Sequence, residues 1–247
     1  MKRSLIKISS LTEFKIKEIM KNKTFLFSLV TAPLIILIYR FAFAEMMGGK
    51  LDSNMIGVLV KLGSSVSMAT VALTFPATLL AKDKEKNTLR TLMTSSVTGI
   101  EYLISVLVPV VILSIIVNVA ILFISGIELQ NINIPYFLLA ISFGCLASAI
   151  LGTIVGIFSK NQMAATSNLT SFILLLTMIP VFSDSVSSLK KINDFLFTGI
   201  ITNMFSGFVE GNKNPLTILN WSVLVGSCVV LIIAFAVCYK RNGFEND

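Results

Sequence analysis

Six long apolar runs constrain this chain more than any other feature of its sequence. A helix needs about 20 residues, at a rise of 1.5 Å per residue, to cross about 30 Å of hydrocarbon. Upstream of the second run the sequence stays apolar to Met55, but Lys61 interrupts it, so we place the start near Leu62. The six runs are residues 25–44, 62–81, 102–125, 135–159, 163–182 and 216–238. We therefore predict an all-α polytopic membrane protein in which residues 25–247 form a single six-span domain.

The composition agrees with this fold class and excludes several functions. Only 13% of the 247 residues are charged, whereas soluble domains carry about 25%. The net charge of +7 would suit nucleic-acid binding, but the basic residues stand in short segments between apolar runs, so we expect no nucleic-acid partner. The three cysteines lie inside apolar runs and histidine is absent, so we expect neither a metal site nor a histidine-dependent active site.

The distribution of basic residues predicts the orientation in the membrane. With six spans, both termini and the segment between the second and third spans lie on one side, and that side carries fourteen lysines and arginines. The other side carries six. Because cytoplasmic loops hold the excess of basic residues, we predict that both termini are in the cytoplasm.

Residues 1–24 have the pattern of a basic amphipathic helix. As a helix, they place five residues on one face, namely Leu5, Ile8, Thr12, Ile16 and Ile19. Lys7, Glu13, Lys17 and Lys21 fall on the opposite side. Such helices lie in the membrane interface and contact lipid. The alternative is a solvated tail that leads into the first span.

A polar segment, Lys82–Glu101, separates the second and third spans. Its residues 83–96 are prone to form a helix, in which Leu89, Leu92 and Met93 share one apolar face. We expect this face to bind a soluble partner. The chain has no G-x-x-x-x-G-K phosphate-binding loop, so it has no site of that kind for ATP. No Asp, Glu or Lys lies near the middle of a span, which argues against an ion-driven carrier.

Three spans carry further patterns. In the fourth span Gly144, Ser148, Gly152 and Gly156 recur every four residues, and we assign this stripe to helix packing. The second and fifth spans are rich in polar side chains, which predicts a shared polar path, although each hydroxyl could instead bond its own backbone. The candidate path residues are Thr70, Thr74, Asn168, Thr170, Ser171 and Thr177.

The segment 183–215, on the outer side, is more than a loop. Its residues 195–208 are mostly apolar but too few to cross a bilayer, which is typical of a re-entrant or interfacial element. Pro180, near the end of the fifth span, is well placed to begin the turn. We predict an extracellular re-entrant helical hairpin before the sixth span.

Residues 85–101 resemble the cytoplasmic coupling region of type-2 permeases of ATP-binding-cassette (ABC) exporters, whose pattern is E-x-G-T-L-E-x-L-L-x-T-P-V-S-x-x-E. The identical positions are Glu85, Thr88, Leu89, Leu92, Val97 and Glu101. Conservative replacements stand at Met93, Ser95 and Thr98, and Asn87 replaces a glycine. Arg90 and Ser96 depart from the pattern. The interfacial helix, the six spans, the cytoplasmic ends and the hairpin are also features of that family.

The resemblance implies a permease without enzymatic activity. Two permease subunits, of the same or related chains, would each bind a cytoplasmic ATPase that carries ATP and magnesium, and this chain would hold no cofactor. The implied coupling residues are Glu85, Asn87, Thr88, Leu89, Arg90, Leu92, Met93 and Glu101. Leu89, Leu92 and Met93 would lie in a cleft of the ATPase, with Glu85 and Glu101 at the ends of the coupling helix.

The chain is most similar to the Gram-positive subgroup that exports amphipathic peptides or toxins, which implies the plasma membrane of such a bacterium. Export of sodium, drugs or lipid is the alternative within the family. Outside it, the alternatives are an ion-coupled carrier or channel, for which Arg40 and Lys61 are the only titratable candidates, and a scaffold without a transport role.

Overall fold

A computed structural model of the chain describes residues 2–46, 48, 52–94, 97–128, 130 and 132–242. Among these residues, six helices are long and apolar enough to cross a membrane. They are Lys23–Met46, Ser53–Glu85, Gly99–Ser125, Ile134–Phe158, Gln162–Phe182 and Ile218–Tyr239. The number of spans agrees with the sequence, because run length and hydropathy alone decide it.

The described residues contain twelve helical elements. Before the coupling region lie α1 (Lys2–Lys21), α2 (Lys23–Met46) and α3 (Ser53–Ser67), then a π-helical turn (Met68–Leu73) that continues into α4 (Thr74–Glu85). The helices α5 (Thr88–Thr94), α6 (Gly99–Ser125), α7 (Ile134–Phe158) and α8 (Gln162–Phe182) follow. The chain ends with α9 (Ser187–Asn193), α10 (Phe197–Val209) and α11 (Ile218–Asn242).

The second span is longer than the sequence predicts. It begins at Ser53, where the Asp52 side chain accepts the Ser53 N–H as a helix cap, nine residues upstream of the predicted start near Leu62. Lys61 lies inside the helix and not at a break in it. Its side chain is 6% exposed and its ammonium pairs with the carboxylate of Asp184, which follows the fifth span. This ion pair satisfies a charge that the sequence pattern alone treats as an interruption.

The predicted coupling helix over residues 83–96 is two helices. The helix α4 runs to Glu85, and α5 begins only at Thr88. Between them Asn87 has a φ of 56°, a left-handed conformation that asparagine tolerates better than most residues. The Asn87 carbonyl accepts the Thr91 N–H at 3.2 Å and thereby starts α5. Residues 95 and 96 lie outside the described residues.

The small-residue stripe of α7 packs against the second span. A Cβ atom on Gly152 would lie 2.0 Å from the Leu73 carbonyl oxygen, and one on Gly144 would lie 2.8 Å from the Met68 side chain. At Gly156 it would lie 3.0 Å from the Ala77 Cα atom. The Ser148 hydroxyl donates to the Met68 carbonyl at 2.9 Å. The stripe therefore brings two helices of the same chain into close contact.

The segment after the fifth span forms α9 and α10. The apolar stretch predicted at 195–208 corresponds closely to α10, which is largely buried against α3 and α8. Tyr136 of α7 holds the following segment, because its hydroxyl donates to the Leu216 carbonyl and accepts the Leu216 N–H. The depth of this pair of helices in a membrane stays a prediction.

Candidate functional site

A buried group of charges joins α1 to the end of α4 and the start of α6. The Lys15 ammonium lies 2.6 Å from a carboxylate oxygen of Asp83 and 2.8 Å from one of Glu18. Lys82 pairs with the other oxygen of Glu18 at 2.6 Å, and the Tyr102 hydroxyl donates to Asp83. We call these five residues the ionic cluster.

The ionic cluster is nearly excluded from solvent. Only 1% of Lys15 is exposed, and the Asp83 side chain is almost as well covered. Buried charges are tolerated when each is paired and hydrogen-bonded, as here. Partial burial raises the pKa of Glu18, but the hydrogen bonds from Lys15 and Lys82 outweigh it and hold the pKa below its ordinary value. Glu18 is therefore ionised at neutral pH.

Glu101 fixes both the start of α6 and the beginning of α1. Its backbone N–H donates to the Thr98 hydroxyl at 3.3 Å, and its carboxylate accepts the Thr98 N–H at 3.0 Å, which is a capping box. The same carboxylate accepts the Ser4 hydroxyl and lies 4.0 Å from the Lys7 ammonium. The sequence predicted a role for Glu101 at the coupling helix but not its contact with α1.

The end of α4 is bonded to two other spans. The Glu85 carboxylate accepts the backbone N–H of Gln162, the first residue of α8, at 3.2 Å. The Lys84 ammonium donates to the Ile157 carbonyl at 2.7 Å, near the end of α7. The helix that precedes α5 is therefore tied to the helix that opens the fifth span.

Leu89 is buried within its own chain, and its predicted role in a cleft of the ATPase stays a prediction. It is 4% exposed and belongs to an apolar cluster with Ile19, Phe25 and Phe75. Leu92 is half-buried and packs against the same cluster. The apolar face of α5 packs against α4, and the left-handed turn at Asn87 allows α5 to fold back on that helix.

The opposite side of the coupling region is open. Lys86, Asn87 and Thr91 are exposed, and Thr88 is half-buried. The side chains of Arg90 and Met93 lie outside the described residues. The exposed side chains that the structure describes here are polar, whereas the sequence had pointed to the apolar face.

The six candidate path residues divide into two groups. Thr70, Thr74 and Thr177 donate to carbonyls of their own helices, at 2.8, 2.8 and 2.7 Å. These three hydroxyls therefore bond their own backbone, which is the alternative to a polar path that the sequence left open. Asn168, Thr170 and Ser171 instead lie on the exposed face of α8, although Thr170 also donates to the Thr166 carbonyl. None of the six lines any of the three cavities formed by described residues, and the path itself stays a prediction.

A second set of polar side chains, which the sequence did not single out, lies next to the π-helical turn. The Asn118 amide of α6 donates to the Ser67 hydroxyl at 3.1 Å and to the Ser114 carbonyl at 2.8 Å. Its own amide oxygen is buried and meets no donor among the described residues. An asparagine in the middle of an apolar run was the available signal.

The comparisons with known proteins agree with this geometry. The profile of the family described as ABC-2 family transporter protein matches residues 49–237. The chain belongs to this family. The match includes the second to sixth spans and the whole coupling region, so the ABC-2 assignment rests on most of the membrane domain. A search of curated proteins found no match. An ABC-2 protein is the membrane component of an ABC transporter, and this one is a multi-pass permease subunit.

Proposed function

We propose that the chain is the permease of an ATP-driven exporter and that a separate cytoplasmic ATPase subunit supplies ATP, magnesium and hydrolysis. The observation that carries this proposal is the coupling region: a short helix, α5, follows a left-handed turn, contacts α4 and joins an apolar cluster that includes residues of α1 and α4. Such a helix transmits displacement because its apolar face is fixed inside the permease. The same proposal places the protein in the plasma membrane of a Gram-positive bacterium, with both termini in the cytoplasm.

The ATPase contact is assigned to the exposed side of the coupling region. Asn87 and Thr91 face outward, whereas Leu89 is packed inside. Force on α5 would pass through Leu89 to α1 and α4, and through Glu85 to the first residue of α8. This assignment replaces the insertion of Leu89 into the ATPase.

A second permease subunit, the same or a related chain, is the proposed cover for α8. Asn168, Thr170 and Ser171 lie on an exposed face of this apolar helix. A polar group transferred to hydrocarbon without a hydrogen-bond partner costs about 2–7 kcal/mol, and the Asn168 amide has only a 3.3 Å contact with the Ser159 hydroxyl to offset it. A partner subunit against this face would satisfy the amide and place a polar path between the two chains.

The proposed cargo is an amphipathic peptide or toxin, and its support is the resemblance to the peptide-exporting subgroup. Sodium, drugs and lipid are the other cargoes within the family. Ion coupling has less support, because both titratable candidates already make structural contacts. Arg40 donates to the Ile124 carbonyl, and Lys61 pairs with Asp184.

Co-purification with the candidate ATPase tests the coupling proposal. We expect Thr91→Arg to abolish complex formation while the permease keeps its thermal stability, because Thr91 is exposed. Ser188→Arg is the matched control, since Ser188 is exposed on the short helix α9, outside the coupling region. Leu89→Asp should instead destabilise the permease itself. A Thr91→Arg complex that forms normally and keeps its ATPase activity would refute the assigned contact.

A further inference from the structure

A basic groove lies where α1 ends, α2 enters the apolar region and α4 leaves it. Its volume is about 730 Å³, within the range of about 300–1,000 Å³ that is usual for ligand sites. Five lysines line it, namely Lys17, Lys21, Lys23, Lys82 and Lys86. Among the lining residues that the structure describes, the carboxylates are Glu18 and Asp83, so these residues carry a net charge of +3.

The two carboxylates do not neutralise the free lysines of the groove. Glu18 and Asp83 are already bonded inside the ionic cluster, to Lys15 and Lys82. Among the residues that the structure describes, Lys21, Lys23 and Lys86 form no salt bridge, and all three are exposed. These three ammonium groups are therefore available for an anion.

The position of the groove identifies the kind of anion. Lys23 is the first residue of a spanning helix, and Lys86 directly follows the end of another. Both lysines thus stand at the rim of the hydrocarbon, where phospholipid headgroups lie. Phe14 lines the groove and is 56% exposed. An acyl chain would cover this apolar side chain, which an acidic protein surface would leave in contact with polar groups.

We propose that the basic groove binds the headgroup of an anionic phospholipid, with the phosphate among Lys21, Lys23 and Lys86 and an acyl chain against Phe14. Basic residues next to a membrane attract anionic lipid in this way. The leaflet follows from the cytoplasmic orientation proposed above. The binding itself needs no ATPase, so it is tested separately from the proposed function.

Lipid retention by the purified chain tests the proposal. The wild-type chain in neutral detergent is titrated with phosphatidylglycerol or phosphatidylcholine, and bound lipid is counted by native mass spectrometry. We expect selective retention of phosphatidylglycerol. Because each lysine near a membrane contributes about fivefold to binding, K21Q/K23Q/K86Q should weaken retention by about two orders of magnitude.

Two further variants separate the groove from net charge. K190Q/K191Q/K213Q removes the same charge elsewhere and should retain phosphatidylglycerol as the wild type does. K21R/K23R/K86R keeps the charge and should also retain it. Equal loss in both glutamine variants, or normal retention by K21Q/K23Q/K86Q, would overturn the proposal.

The source of the phosphate and the competing partner are resolved in the same assay. Water-soluble glycerophosphoglycerol, which has the headgroup but no acyl chains, should not displace phosphatidylglycerol at equal concentration, and displacement would overturn the lipid assignment. If K21Q/K23Q/K86Q loses the ATPase but keeps phosphatidylglycerol, the groove is a protein-docking surface and the proposal is wrong.

Discussion

Replacing Lys15 by methionine should release α1 from the membrane domain. Lys15 is the only cation that bonds Asp83 among the described residues, and it also bonds Glu18. Methionine keeps the length and most of the volume of the side chain, so the substitution removes the charge without opening a large cavity. Asp83 would keep only the Tyr102 hydroxyl, while Glu18 would keep Lys82.

The expected magnitude follows from burial. Removing one partner of a buried ion pair destabilises by about 3–5 kcal/mol, because the remaining charge is left uncompensated. If this free energy is lost from the contact between α1 and the spans, local opening of α1 becomes more frequent by about two to three and a half orders of magnitude. The double variant Lys15→Met/Asp83→Leu should recover most of the loss, since no buried charge is left alone.

Hydrogen–deuterium exchange of peptides from α1 measures this opening directly. Lys17→Met is the matched control on the same helix. Lys17 pairs with Glu13 at 2.6 Å, but both side chains are about two-thirds exposed, at 65% and 68%. Exposed pairs contribute about 0–1 kcal/mol, so exchange in the control should rise less than about fivefold.

Two results would refute this reasoning. Similar exchange in the Lys15→Met and Lys17→Met variants would show that burial of the ion pair does not hold α1. Faster exchange in the Lys15→Met/Asp83→Leu double variant than in Lys15→Met alone would show that the uncompensated carboxylate is not the source of the loss.

Three further predictions concern stability. Gly152→Ala should lower the thermal midpoint in detergent, because its Cβ atom would lie 2.0 Å from a carbonyl oxygen of the π-helical turn and overpacking costs about 1–3 kcal/mol. Gly226→Ala is the control and should leave the midpoint unchanged, because a Cβ atom there would meet nothing within 4 Å. Asp184→Asn should lower the same midpoint by leaving the buried Lys61 ammonium unpaired, whereas Lys61→Met should change it little, because the Asp184 side chain is 64% exposed. The pKa of Glu18 lies below its ordinary value of 4.5, so the stability that its ionisation gives is complete above pH 4.5. Hydrogen exchange of α1, corrected for its intrinsic pH dependence, should therefore rise only as the pH falls below 4.5.

The number and approximate position of the spans could be predicted from the sequence because hydrocarbon thickness fixes the length of an apolar helix. The start of the second span could not, since the sequence shows Lys61 but not Asp184, 123 residues away. The same limit explains the ionic cluster. Lys15 and Asp83 are 68 residues apart, and no periodicity within α1 indicates that one of its lysines is buried.

The amphipathic pattern of α1 was only partly informative. Ile19 lies on the predicted apolar face and is fully buried, but Leu5 and Ile16 on that face are exposed. Periodicity predicts that apolar residues share a side, whereas the surface that covers them is set by the neighbouring helices. The exposed members of the face remain available to lipid, in keeping with the predicted interfacial helix.

Leu89 shows that a periodic pattern does not identify the surface that covers it. Its spacing with Leu92 predicts an apolar face that needs a cover, and within the chain this face joins an apolar cluster that includes residues of α1 and α4. The left-handed turn at Asn87 makes this possible, because it lets α5 fold back on the helix that precedes it.

The bonds around α5 argue that a displacement there reaches distant spans. Leu89 is packed in the same apolar cluster as Phe75 of α4, so α5 and α4 move together. The carboxylate of Glu85 at the end of α4 is bonded to the first backbone N–H of α8, the span that carries the exposed polar face. In the second span, which contains α4, the π-helical turn departs from regular α-helical bonding and meets Gly152 at close range. Under the proposed coupling, force on the coupling region would reach α8 through Glu85, and we expect the second span to bend at the π-helical turn, where it stays in contact with α7.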